Sequence, residues 1–259
     1  MMLKCQMGWR IQAAVMATLC LAAAACGNQK SGTPQSRRAS SSVSASAADS
    51  LSDSTGFPAG AQGAAARRGF AILAATPDSL PNHVGNGLRC FSCHLDNGRK
   101  PNGIPITASY THYPSFSKRT GNTMSIYDRV NNCLTRSLAG RALPADSKEM
   151  ADIVAYLALI ARGLPPGSHA PGEGLAKMPR LAGDPSRGNT IFVGRCARCH
   201  GATGQGIPPA TALWGTRSFA IGASLAWIDR TASFIRYNMP FDSAGVLSDQ
   251  QAYDVAAYI

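Results

Sequence analysis

The chain has 259 residues, of which 45% are hydrophobic, 15% charged and 7% aromatic, with a formal net charge of +11. That length suits one large domain or two small ones, and the low charged share, with 26 Gly and 16 Pro, argues against a coiled coil or a simple helical bundle. Glu occurs only at Glu149 and Glu173, which argues against a carboxylate-rich metal cage.

Lys4 and Arg10 precede a mostly apolar run, Ile11 to Ala25, that ends in small residues before Cys26. A spanning helix needs about 20 apolar residues, so residues 1–25 read as a signal peptide for export, and no later run reads as a transmembrane helix. Small residues ending at a Cys resemble a lipoprotein cleavage site, which makes Cys26 the lipid-anchored first mature residue. Ordinary cleavage, leaving Cys26 without lipid, is the alternative. Residues 26–66 are rich in Ser and Ala with one aromatic, Phe57, too little apolar surface for a core. They read as a flexible tether with a mean span of roughly 35 Å, holding the protein off a bacterial membrane.

Two segments, Cys90-Phe-Ser-Cys93-His94 and Cys196-Ala-Arg-Cys199-His200, have the form C-x-x-C-H. This is the attachment signature of a c-type haem: the thiols bond the porphyrin edge and the adjacent imidazole ligates iron. One such motif also fits a redox pair or half a zinc site. Two in an exported chain, without a thioredoxin-like pattern, point to two covalently bound haem c groups. Cys90, Cys93, Cys196 and Cys199 are then cofactor-binding, and His94 and His200 are iron ligands. A nucleic-acid role for the positive charge is disfavoured in an exported haem protein.

The second axial ligands follow from what remains. After His200 there is no further His or Cys and one Met, Met239, the expected sixth ligand of the second iron. Met239 lies 39 residues after His200, and the same offset from His94 falls on Cys133. Cys133 is also the one Cys left without a role, in a compartment that oxidises spare thiols. It is therefore the expected sixth ligand of the first iron, with His112 and Met124 as rivals. Met150 fits the apolar pattern of the following helix and reads as core. His83, His112 and His169 otherwise read as isolated loop residues.

The halves repeat beyond the haem motifs. Ala151-Asp-Ile-Val-Ala-Tyr-Leu157 aligns with Tyr253-Asp-Val-Ala-Ala-Tyr-Ile259, so Asp152 matches Asp254 and Tyr156 matches Tyr258. Apolar residues at helical spacing follow a polar start in each, Asp146-Ser147 and Ser248-Asp249. Gly69-Phe-Ala-Ile-Leu-Ala and Gly188-Asn-Thr-Ile-Phe-Val belong to the helices expected to cross them. Pro- and Gly-rich residues 164–178 form the linker between residues 67–163 and 179–259. The fold expected is all-α, with two tandem cytochrome c domains and one haem in each. The pattern stops at Ile259, five residues short of its counterpart, so the natural C-terminus is expected to lie further on.

A haem with Met as sixth ligand suits electron transfer, whereas a thiolate lowers the potential and is itself a nucleophile. Arg119, Arg129, Arg136 and Arg141 all lie within 14 residues of Cys133. If Ser125 to Ser137 is helical, Arg129, Cys133 and Ser137 share one face, bringing together a cation, a sulfur and a hydroxyl suited to a small dianion. Pairing of these Arg with haem propionates is the simpler alternative.

Asn86-Gly-Leu-Arg-Cys-Phe-Ser-Cys-His-Leu95, Tyr113-Pro, Arg119, Asp128-Arg-Val-Asn-Asn-Cys-Leu-Thr-Arg-Ser137 and Gly140 together resemble the dihaem thiosulfate dehydrogenases. The resemblance is close from Gly69 to Gly163 and more general beyond. It implies a periplasmic enzyme that joins two thiosulfates into tetrathionate at a His94/Cys133-ligated haem. Arg119, Arg129, Ser137 and Cys133 would form the catalytic site, and a His200/Met239-ligated haem would pass electrons to a soluble cytochrome c or another high-potential carrier. The reverse reaction uses the same steps. Some members place Lys before the distal Met; Asn238 stands here, so a Lys/Met exchange is not expected. Ser137-Leu-Ala-Gly140 also departs from the more usual Ser-Met-Asn-Gly. A membrane-tethered dihaem electron carrier without catalysis is the alternative reading. A subunit of a larger sulfur-oxidising cytochrome complex is a third.

Overall fold

The structure is a computed structural model and describes residues 56–259. The expected signal peptide, Cys26 and most of the tether lie outside the described residues. Helix α1 (Gly60–Ala74) is followed by the turn α2 (Thr76–Ser79), a 3-10 turn Cys90–Ser92, the distorted turn α3 (Leu95–Gly98) and a 3-10 turn Ser109–His112. A hairpin of β1 (Ser115–Ser117) and β2 (Asn122–Met124) comes next, with Ser115 opposite Met124. Helix α4 (Ile126–Asn132) runs into a π-helical turn, Cys133–Ser137, and α5 (Lys148–Ile160) ends the first half. The second half holds α6 (Pro185–Ile191), a π-helical turn Phe192–Cys196, α7 (Ala197–His200), α8 (Ile228–Asn238) and α9 (Asp249–Tyr258). Apart from the short hairpin the described chain is helix and loop. It is an all-α protein of two cytochrome c domains.

The tether was expected to run to residue 66, but α1 already starts at Gly60. The small residues that suggested a tether serve close packing instead. A side chain at Gly63 would lie 1.6 Å from Pro58 O, Ala66 is buried, and Phe57 meets Phe70 at 5.9 Å between ring centroids.

Each half is built on one helix crossing. A Cβ at Gly69 of α1 would lie 2.0 Å from Asp152 O of α5, and a Cβ at Gly188 of α6 would lie 2.0 Å from Asp254 O of α9. Glycine is needed at both points because the backbones touch there. The residue before each glycine reaches across: Arg68 makes two 2.7 Å bonds to Asp152, and Arg187 bonds Asp254 at 2.8 and 2.9 Å. Both carboxylates are buried and therefore depend on these forks. Tyr156 joins Phe57, Phe70 and Phe91, while Tyr258 joins Phe192 and Trp214.

The start signals act as read. Ser147 and Ser248 cap α5 and α9 through the Met150 and Gln251 amides, and Asp184 caps α6 with Pro185 at its first position. One core gathers Leu73, Leu88, Leu134, Met150, Ile153 and Leu157; a second gathers Ala232, Ile235, Leu247, Ala252 and Val255. A smaller cluster of Leu95, Leu225 and Phe234 joins the halves. There Asn238 Nδ2 donates to Asn102 O at 2.9 Å, and Asn86 Nδ2 donates to both Ser137 O (3.1 Å) and Ser218 O (2.8 Å). No helix among the described residues is long and apolar enough to cross a membrane.

Candidate functional site

A largely apolar cavity of 470 Å³ lies in the first half, a size typical of ligand and cofactor pockets. Cys90, Cys93 and His94 line it from one side and Cys133 from α4's π-helical extension. Leu73, Leu88, Leu138, Ile153 and Leu157 supply apolar walls. The loop carrying Phe219 to Leu225 closes it from the second half, held by the Ala220 amide donating to Ser137 O at 3.1 Å. The attachment turn is anchored by Thr76, fully buried, whose Oγ1 accepts the Cys90 amide at 3.0 Å and donates to Leu73 O.

His94 Nδ1–H donates to Ile104 O at 2.6 Å, and His200 Nδ1–H donates to Thr211 O at 2.7 Å. A carbonyl partner fixes the tautomer, leaving each Nε2 lone pair for a metal. The donor set, the apolar walls and the orientation of both imidazoles fit a haem at each segment. Met239 packs at the edge of the second core with Cys196 and also touches the cluster joining the halves.

Cys133 sits beside one cation, Arg129, and within hydrogen-bond reach of His94. Arg129, one helical turn earlier, donates from Nη1 to Cys133 Sγ at 2.9 Å. Burial alone pushes the thiol up, but the charge of Arg129 and a hydrogen bond with His94 outweigh it and bring Cys133 down to about 6. Cys90 and Cys93 are half-buried without such a cation, and desolvation pushes both up to about 12. The three thiols share a cavity, so the local cation separates them. The contact with His94 also brings the two expected axial ligands of the first iron to one point.

The remaining expected residues divide. Arg119 lines the cavity from the β1–β2 loop, where it is exposed and donates to Asn132 Oδ1 at 3.1 Å. Ser137 lines the cavity, but the segment is not one regular helix as expected. The i+5 bond from the Leu138 amide to Cys133 O (3.0 Å) widens the turn. Arg136 also lines the cavity, and Arg141 does not. Of the rival ligands, Met124 lines the cavity, Met150 is fully buried core, and His112 lies elsewhere. Tyr113, which the sequence marks only through the family pattern, lines the same cavity and interacts with Arg129 there. The Tyr113 phenol and the Cys133 sulfur both face the guanidinium, a relation that appears only once the loop is folded over α4.

Residues 82–165 match the family model for the SoxA/TsdA cytochrome c domain, and residues 183–259 match that for cytochrome c oxidase, cbb3-type, subunit III. A thiosulfate dehydrogenase of Psychrobacter arcticus is 40% identical over 80% of this chain and 66% of its own length. One of Allochromatium vinosum is 36% identical over 78% of this chain and 79% of its own. A solved thiosulfate dehydrogenase (TsdBA) from Marichromatium purpuratum superposes with a TM-score of 0.73 at 30% identity, covering 79% of this chain and 47% of that one. The chain thus spans about two thirds of the Psychrobacter relative and about half of the Marichromatium chain.

Proposed function

This chain belongs to the thiosulfate dehydrogenase family of dihaem c-type cytochromes, and from that premise we propose that it joins two thiosulfates into tetrathionate at the Cys133 cavity. The observation that carries the reading is the 2.9 Å contact between Arg129 and Cys133 inside the cavity of the first attachment segment. A dianion and a nucleophilic sulfur are both served at that one point.

Cys90, Cys93, Cys196 and Cys199 would hold the two haems, with His94 and Cys133 binding the first iron and His200 and Met239 the second. When bound, the haems accept electrons one at a time and relay them outward. Arg129, set by Tyr113 and Cys133, grips the sulfonate end of thiosulfate through its planar fork of donors. Arg119 at the exposed rim draws the dianion in, and Ser137 offers a hydroxyl to it. The Cys133 thiolate forms a sulfur–sulfur bond with the outer sulfur of the first thiosulfate as two electrons leave. The outer sulfur of a second thiosulfate then attacks that same sulfur. The bond to Cys133 breaks, tetrathionate departs and the thiolate returns; no proton is consumed in either step. The reverse sequence reduces tetrathionate.

The electron acceptor is read as a soluble cytochrome c or another high-potential carrier. The location is read as periplasmic and lipid-anchored through Cys26. Cys133→Ala with both haems retained is expected to abolish tetrathionate formation, and Cys133→Met to keep a filled coordination shell without turnover. Near-normal turnover in Cys133→Ala would overturn the proposal and favour a plain electron carrier.

A further inference from the structure

Away from the cavity, the turn Ser109–His112 meets the linker and brings His112 against His169 and Glu173, which lie four residues apart in the linker. One ligand atom from each of His112, His169 and Glu173 lies within 4.8 Å of the other two. The isolated loop histidines expected from the sequence are therefore neighbours, with ring centroids 4.9 Å apart. His83 stays separate, donating from Nδ1 to the Ala142 carbonyl.

His112 Nε2–H donates to Ser168 O at 2.6 Å, which leaves the lone pair of the neutral ring at Nδ1. That nitrogen faces Glu173 Oε1 at 3.4 Å, so two acceptors point at each other. The other carboxylate oxygen lies 2.8 Å from His169 Nδ1 and accepts the Ala170 amide at 3.2 Å. An ion bonded tetrahedrally at about 2.0–2.1 Å has ligand–ligand edges of about 3.4 Å, which is the His112–Glu173 separation. An imidazole fixed by a carbonyl on its far nitrogen is also the usual second shell of a metal-binding histidine.

We propose that His112, His169 and Glu173 bind one divalent transition-metal ion of the Zn²⁺ class, with water in the fourth position. Two imidazoles and one carboxylate suit that class by ligand type. The site is separate from the haem cavity, which none of the three residues lines. The ion ties the linker to the first half, where the Gly167 amide already donates to Thr111 O at 2.8 Å. His169 is largely exposed, so the ion can enter from solvent.

The test uses untagged, haem-loaded protein freed of loose metal by a chelator, titrated with Zn²⁺, gel-filtered and analysed for zinc and iron. One zinc is expected per two irons. Glu173→Gln, near-isosteric, and His169→Ala, at an exposed position, should each weaken binding about tenfold or more. His83→Ala should not, and unchanged haem spectra would show that the variants are folded. Zinc content unaffected by the two substitutions, or no zinc retained by the parent protein, would overturn the proposal. The cluster would then be a simple His–Glu ion pair.

Discussion

Replacing Gly188 by Ala tests the helix crossing that carries the second haem segment. The added Cβ would sit 2.0 Å from Asp254 O and 2.8 Å from Tyr258 Cβ, both on α9. A carbon needs about 3.3 Å from a carbonyl oxygen, so the helices must part by more than 1 Å. Such overpacking costs about 1–3 kcal/mol. The shift also loosens the fork of Arg187 on the buried Asp254, where losing one partner costs about 3–5 kcal/mol. Against this, alanine gains about 1 kcal/mol over glycine in a helix. The balance is a net loss of about 2 kcal/mol or more, a fall in Tm of at least about 4–8 °C for a protein this size. Thermal unfolding of haem-loaded protein, followed by far-UV circular dichroism, measures it. Gly69→Ala should behave alike. Gly194→Ala, where nothing lies within 4 Å, should be neutral or stabilising. A Gly188→Ala protein as stable as its parent would refute the reasoning, since helix propensity alone predicts that sign.

Arg129→Gln removes a charge-assisted bond worth about 1.5–3 kcal/mol, so kcat/KM for thiosulfate should fall by about 10- to 150-fold. Arg119→Gln, at an exposed rim position, should lose less than about tenfold and show a weaker salt dependence than the parent, because a screened steering charge is gone; equal losses would contradict the assigned roles. Asp254 is held down to about 2, chiefly by the hydrogen bond from Arg187. Its carboxylate therefore adds stability above the unfolded carboxylate range near pH 4, and that stability is lost as pH falls through the folded value. Arg187→Ala should flatten the acid limb of stability between about pH 4 and 2, measured from urea midpoints. An unchanged limb would show that the pair does not set it.

What could be read from the sequence was what local spacing dictates. C-x-x-C-H is itself the chemistry of attachment, and Ser147 and Ser248 cap because a side-chain oxygen satisfies amides only two or three residues on. The repeat of Asp152 and Tyr156 as Asp254 and Tyr258 was visible, but its cause was not. The crossing glycines and the arginines beside them become partners only when α1 meets α5 and α6 meets α9. The loop around Phe219 that walls the first cavity crosses from the other half, and no local pattern marks it. Tyr113 reaches Arg129, 16 residues on, and His112 reaches His169, 57 residues on, through loop closures that no local spacing marks. The π-helical turn at Cys133 depends on one i+5 hydrogen bond that regular helical spacing does not foresee. The start of α1 was missed because alanine and glycine look like a tether until something packs against them.

The most direct measurement supplies thiosulfate and a one-electron acceptor to the purified protein with both haems loaded, and counts products. The account predicts one tetrathionate for every two thiosulfates consumed and two acceptor molecules reduced. Sulfite or sulfate in place of tetrathionate, or an acceptor left oxidised, would contradict it.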